Sequence, residues 1–91
     1  MKVLKSLEIT KDGKTSKVEF LKESDEEILV YIDGFEEGHL LLEKNFDDSE
    51  SLAGWVLYLP YFMGKNWADG TVYDTDLKEA LNEVIDDMET L

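Results

Sequence analysis

The amino-acid sequence predicts an α+β fold: a four-stranded antiparallel meander sheet followed by two helices packed on one face. Three observations lead to this prediction. Apolar and polar residues alternate early in the chain, glycine-containing turns separate the alternating segments, and apolar residues near the C-terminus recur at three- and four-residue steps. A chain of 91 residues fits one domain with one modest core, so we expect residues 1–91 to fold as a single acidic domain.

The first two strands are predicted to form a hairpin. Apolar and polar residues alternate over residues 2–10 and 15–22, on either side of Asp12 and Gly13. An Asp-Gly pair between alternating segments is a strong hairpin signal, because both residues tolerate the backbone angles of a tight turn. The alternation also predicts a sheet with one polar, solvated face.

Two more strands complete the predicted sheet. Residues 28–32 are β-branched, aromatic or leucine, a composition typical of a central strand. Residues 39–43 form the predicted fourth strand. The linker of residues 33–38 contains Gly34 and Gly38, as expected of a hairpin loop of moderate length.

The pattern changes after residue 46. Apolar residues then recur at helical spacing: Leu52, Trp55, Val56 and Leu59. Residues 47–50 offer N-cap chemistry, so a short first helix is predicted. Pro60 is expected to end or kink it, because an interior proline lacks the amide donor and clashes with the preceding turn. Residues 61–73 are then expected to form a loop.

The last segment predicts an amphipathic helix. Its apolar stripe consists of Leu77, Ala80, Leu81, Val84, Ile85, Met88 and Leu91. Asp76 is the expected N-cap, and Glu79 follows it at the spacing of a capping box.

The charge of the chain is strongly negative and unevenly distributed. The chain has 22 Asp and Glu residues and nine Lys, which gives a formal net charge of −13. Residues 1–22 hold six of the nine Lys, so most of the charged residues in the rest of the chain are acidic. Such a surface repels nucleic acid and anionic membranes and attracts basic protein surfaces. We therefore expect a basic protein surface as the partner, and neither direct nucleic-acid binding nor membrane binding.

The sequence offers little for catalysis. It has no Cys or Arg, and the lone His39 follows a glycine at a strand start, which favours a structural role. Carboxylate pairs are too common in so acidic a chain to indicate a glycosidase. Residues 69–76 place several carboxylates near Gly70 but do not fit the EF-hand template. We expect no enzyme activity, no metal and no cofactor.

The sequence favours a cytoplasmic protein. No basic and apolar leader precedes the first predicted strand, and the longest apolar stretch, residues 52–63, is too short and interrupted to span a bilayer. The absence of cysteine mildly favours the same compartment.

The exposed side of the C-terminal helix is the first candidate binding surface. Its predicted carboxylates are Asp76, Glu79, Glu83, Asp86 and Asp87. Like charges three and four positions apart destabilise a helix by about 0.2–0.5 kcal/mol per pair, and acids near the C-terminus oppose the macrodipole. Stability alone would disfavour this arrangement, so we expect these residues to bind a partner. The alternative is a solvated surface that serves solubility.

Aromatic residues are concentrated around Pro60, and most are expected in the core. On a helical wheel continued past Pro60, Tyr61 points away from the apolar side, and Trp67 lies among polar residues. Partly exposed Tyr and Trp often anchor interfaces, so both are candidate partner-binding residues. Carbohydrate or small-ligand binding by the same rings is the alternative.

In size, charge and predicted fold the chain resembles the small acidic proteins with which phages and mobile elements block DNA-handling host enzymes, such as DNA-mimicking anti-restriction and anti-CRISPR inhibitors. The resemblance implies an inhibitor that occupies a basic nucleic-acid-binding site. Two other classes remain open: an immunity or antitoxin protein that neutralises a basic toxin, and an acidic structural or adaptor domain whose charge mainly serves solubility.

Overall fold

The computed structural model describes residues 2–45, 47–48 and 50–91. These residues form a six-stranded antiparallel sheet and one helix, a mostly β fold. The strands are β1 (Lys2–Lys11), β2 (Lys14–Ser24), β3 (Glu27–Ile32), β4 (Phe35–Lys44), β5 (Leu52–Phe62) and β6 (Lys65–Tyr73), and the helix is α1 (Leu77–Glu89). Each strand pairs with the next one along the chain.

The predicted fold of four strands and two helices is therefore wrong in its second half. The predicted first helix is strand β5, and most of the predicted loop of residues 61–73 is strand β6. Residues 54–57 of β5 are all buried, so apolar residues follow one another here without alternation. In such a continuous apolar run, residues three and four positions apart are also apolar, and the sequence pattern therefore fits a helix as well as a strand. Ser49, part of the predicted N-cap, lies outside the described residues.

Pro60 lies within β5 instead of ending a helix. The pairs between β4 and β5 stop at Tyr58, so Pro60 lies beyond that ladder. On the other side, the pairs with β6 next to Pro60 are made by Leu59 and Tyr61. Proline has no backbone N–H to donate, so it is tolerated in a strand at a position where no neighbouring strand requires a hydrogen bond from it.

Three two-residue turns close hairpins at the same end of the sheet. The φ angles are 52° at Asp12 and 77° at Gly13 in the first turn, and 50° at Met63 and 82° at Gly64 in the third. Positive φ at both central positions is the type I′ geometry, whose twist matches that of the flanking strands. The predicted hairpin at Asp12 and Gly13 is confirmed.

The second turn corrects the prediction for residues 33–38. Asp33 and Gly34 have φ angles of 51° and 85°, and Phe35 already pairs with Ile32. The predicted loop is therefore a two-residue turn followed by the start of β4. The predicted strands at residues 28–32 and 39–43 are confirmed, and the second of them is longer than predicted.

The predicted C-terminal helix is confirmed as α1. Asp76 is its N-cap, and the Asp76 carboxylate accepts a hydrogen bond of 3.1 Å from the backbone N–H of Glu79. The buried side of the helix consists of Ala80, Leu81, Val84, Ile85 and Met88. Within the parts of the chain that the structure describes, no helix has both the length and the apolar character needed to cross a bilayer.

The sheet curls around α1 and encloses the core. Lys11 of β1 donates a 2.8 Å hydrogen bond to the carbonyl of Glu89, and Tyr73 of β6 donates a 2.7 Å hydrogen bond to the carboxylate of Asp87. A flat sheet with this many strands would hold its edges about 24 Å apart, twice the width of a helix. Both edge strands reach the same helix, so the sheet is curved. The buried strand residues of the core are Ile9, Val18, Phe20, Ile28, Val30, Leu40, Trp55, Leu57, Leu59, Phe62 and Ala68.

Gly38 provides a test of this packing. A Cβ atom at Gly38 would collide with the backbone carbonyl of Tyr58, whereas Gly13 has open space around it and only a positive φ angle. We expect Gly38→Ala to lower the free energy of unfolding by about 2 kcal/mol or more, because backbone cannot move aside as a side chain can. Gly13→Ala should cost about 1 kcal/mol, from its left-handed backbone. Urea denaturation measures both, and equal losses would contradict a close approach of β4 and β5.

Candidate functional site

The outward side of α1 carries all the acidic residues predicted there. We call this surface the acidic face, and it consists of the exposed residues Asp76, Glu79, Glu83, Asp86 and Asp87. At 3.6 residues per turn these five positions fall within an arc of about 100°. Lys78 is the one basic residue among the described residues of α1.

Three carboxylates of the acidic face are held by hydrogen bonds. Asp76 caps the helix, and Glu83 accepts a 2.9 Å hydrogen bond from the backbone N–H of Asp74. Asp87 accepts the hydrogen bond from Tyr73. These contacts give part of the acidic face a structural role, and they also fix the position of the charges.

Glu79 and Asp86 differ from the other three. Their side-chain carboxylates make no hydrogen bond or ion pair with the described residues. Glu79 lies in the first turn, where negative charge is favoured, whereas Asp86 lies towards the C-terminus, where it is not. These two residues are therefore the best probes of a binding role.

The helix C-terminus receives a cation from another element. No basic residue stands in the last turn of α1, but the Lys11 ammonium group of β1 binds the carbonyl of Glu89. A cation at this position offsets the negative end of the helix dipole. The lysine-rich first hairpin thus offsets part of the unfavourable interaction between the acidic residues near the C-terminus of α1 and the negative end of its dipole.

The two predicted aromatic anchors lie in different surroundings. Tyr61 on β5 is 59% exposed. Trp67 on β6 is partly buried, and its ring lies against Phe62 with 5.4 Å between ring centroids. Trp67 therefore packs against the core, and of these two predicted anchors it is Tyr61 whose side chain is available to a partner.

Tyr61 belongs to a shallow pocket beside the tight turns. This pocket, of about 350 Å³, is called the turn-end pocket and is lined by Ile32, Asp33, Phe35, Glu37, Tyr61, Phe62 and Met63. Phe35 is 70% exposed. The sequence prediction missed Phe35 because it treated residues 33–38 as one loop, although the Asp33 and Gly34 pair is itself a hairpin signal.

The sheet face opposite α1 is the second surface that the sequence prediction missed. Leu29 lies between the core residues Ile28 and Val30, so its side chain points to this open face. Apolar side chains cross the open face in two rows, Val3, Leu21 and Leu29 in one row and Leu41, Val56 and Val72 in the other. Val3 and Val72, at the two edges, are 48% and 56% exposed.

Four polar residues on the open face contact one another across β3, β4 and β5. His39 Nδ1 lies 3.6 Å from Glu27 Oε2, and the His39 ring meets the Tyr58 ring edge-on. The Tyr58 hydroxyl donates a hydrogen bond to Glu43, and this bond and then burial raise the pKa of Tyr58. Among the described residues, no group of three potential metal ligands is found. His39 thus has a structural explanation in cross-strand packing.

Comparison of the chain with protein-family models, with curated proteins and with solved structures finds no match. A proposal for function therefore depends on the charge, exposure and contacts of these surfaces.

The contact between Tyr73 and Asp87 makes stability depend on alkaline pH. Burial, and then the hydrogen bond to Asp87, raise the pKa of the Tyr73 hydroxyl well above its usual value of about 10. Above pH 10 the unfolded chain loses this proton while the folded chain keeps it, so the stabilising effect of Tyr73 declines as pH rises.

We expect Tyr73→Phe to lower the free energy of unfolding at pH 7 by about 1 kcal/mol, because a hydrogen bond is lost. The difference from wild type should shrink above pH 10. Urea denaturation across this pH range measures the effect, with the exposed Tyr61→Phe as the control for loss of a hydroxyl. A difference that stays constant with pH would contradict the raised pKa.

Proposed function

We propose that this protein is an acidic inhibitor that docks the acidic face of α1 on a basic, nucleic-acid-binding site of another protein. The observation that supports this most directly is that α1 displays carboxylates within one arc of its surface, three of them held by hydrogen bonds. Carboxylates held in place need less ordering when they meet a basic site, which lowers the entropic cost of binding.

The charge of the whole molecule supports the same proposal. A formal net charge of −13 attracts a basic surface over a distance of several ångströms and speeds the encounter. The same charge opposes direct binding to nucleic acid or to an anionic membrane. We therefore propose a protein partner, with competition between this protein and nucleic acid for one site.

Catalysis is not part of the proposal. His39 has contacts with Glu27 and Tyr58 that explain its position, and the acidic face contains no nucleophile paired with a base. We propose that the protein works by occupancy alone, without a metal or cofactor, and that it acts in the cytoplasm, where nucleic-acid-processing enzymes are found. An immunity protein against a basic toxin would use the same surface, and the identity of the partner separates these two roles.

A second function, that of an acidic adaptor domain, is favoured by one observation. The open face presents two apolar rows, and its edge residues Val3 and Val72 are about half exposed. Apolar surface of this kind is common at protein interfaces. An adaptor that binds through the open face would show weak salt dependence, and its binding would be unaffected by charge changes on α1.

The test uses Glu79→Gln combined with Asp86→Asn. This double variant removes two charges from the acidic face without removing a described hydrogen bond. We expect partner capture from a nuclease-treated lysate to weaken by between about twofold and thirtyfold, from about 0.2–1 kcal/mol for each exposed charge pair. Stability should change by no more than a few tenths of a kcal/mol, because the favourable dipole interaction lost with Glu79 is offset by the unfavourable one removed with Asp86 and by reduced like-charge repulsion.

The matched control is Glu23→Gln combined with Glu26→Gln. Both residues are exposed in the β2–β3 hairpin, so this variant makes the same change in net charge at another place. Capture should be reduced much less than in the helix variant. Equal capture by wild type and the helix variant would mean that the acidic face is only a solvated surface.

A further inference from the structure

The turn-end pocket combines exposed aromatic side chains with carboxylates. Its aromatic side chains Phe35 and Tyr61 are among the most exposed large apolar residues that the structure describes, at 70% and 59%. Its polar lining consists of two carboxylates, those of Asp33 and Glu37. Exposed rings beside carboxylates form a site for a cation with an apolar stem.

A β-bulge places Glu37 in this pocket. Val30 pairs with Gly38 and Tyr31 pairs with Glu36, so Glu37 is an extra residue in β4. A bulge of this kind redirects a side chain relative to regular alternation, and bulges are common beside functional sites. Glu36 shares the open face with Tyr31, whereas Glu37 lines the turn-end pocket.

The two carboxylates of the pocket have different partners. Asp33 Oδ1 accepts a 2.9 Å hydrogen bond from the backbone N–H of Lys17, so part of its bonding capacity is used to hold the turn. Glu37 is exposed and makes no hydrogen bond or ion pair with another described side chain. Glu37 is therefore the carboxylate that can receive a ligand cation.

We infer that the turn-end pocket binds an arginine side chain of the protein partner. The inference rests on the proposed function in that it assumes a basic protein surface as the partner. A guanidinium group stacks on aromatic rings more readily than an ammonium group does, and it can form two hydrogen bonds with one carboxylate. Phe35 and Tyr61 would bracket the guanidinium plane, and Glu37 would neutralise its charge.

The pocket itself can be tested before the partner is known. The probe is N-acetyl-arginine amide, titrated into the isotope-labelled full chain at constant ionic strength and followed by residue-resolved NMR. We expect saturable shifts at residues 32–37 and 61–63. The uncharged isostere N-acetyl-citrulline amide should give at least about threefold weaker binding there, from the loss of the cation–π interaction.

Two variants of adjacent residues provide the matched comparison. Glu37→Gln should weaken arginine binding at the pocket by up to about fivefold, from the loss of an exposed charge pair, whereas Glu36→Gln, the same charge change on the other face, should not. Tyr61→Leu should weaken it similarly, because the ring is lost while an apolar side chain remains. Thermal melts check that each variant folds, which is expected because all three residues are exposed.

Several results would overturn the inference: no shift at the pocket, equal binding of arginine and citrulline probes, or equal effects of Glu37→Gln and Glu36→Gln. None of these results bears on the acidic face of α1. Conversely, the helix variant can fail to change partner capture while the arginine probe still binds the pocket. The two proposals can therefore fail separately.

Discussion

The packing of α1 against the inner face of the sheet is the interaction on which the rest of the structure depends. A helix of 13 residues is marginal in water by itself, so α1 needs its five buried apolar residues to persist. Four of the five are Leu, Val, Ile or Met, and a fully buried side chain of these types contributes about 1.5–3 kcal/mol, a large share of a typical stability of about 5–15 kcal/mol. The sheet in turn curls so that β1 and β6 both reach the helix.

This arrangement connects the fold with the charge of the surface. Because one side of α1 is fully used by the core, the other side is free to carry charge. The negative end of the helix meets Lys11 from the lysine-rich first hairpin, and Tyr73 holds Asp87 from the opposite edge. The uneven distribution of Lys and acids along the chain thus has a structural consequence, since the basic hairpin supports the acidic helix.

The sequence predicted the elements whose formation depends on residues close together in the chain. The Asp-Gly pair of the first hairpin and the apolar stripe and Asp76 cap of α1 each depend on short-range geometry, and both are confirmed. The β5–β6 hairpin was missed because its turn is formed by Met63 and Gly64 rather than an Asp-Gly or Asn-Gly pair, and because β5 is buried on both sides. The acidic residues of the candidate site were predicted, but the hydrogen bonds that hold Glu83 and Asp87 come from Tyr73 and Asp74, at the end of the half of the chain that was misassigned. Phe35 was missed because residues 33–38 were treated as one loop, whereas Phe35 begins β4 directly after a two-residue turn.

The proposed function requires the charge of this molecule to direct it to a basic site that nucleic acid also occupies. The most direct test is the dissociation constant of the complex with the captured partner, measured over a range of NaCl concentrations with and without duplex DNA. We expect the affinity to fall steeply as salt rises and DNA to compete for the same site. An affinity that changes little with salt and is unaffected by DNA would rule out docking by charge and would favour binding through the open face of the sheet.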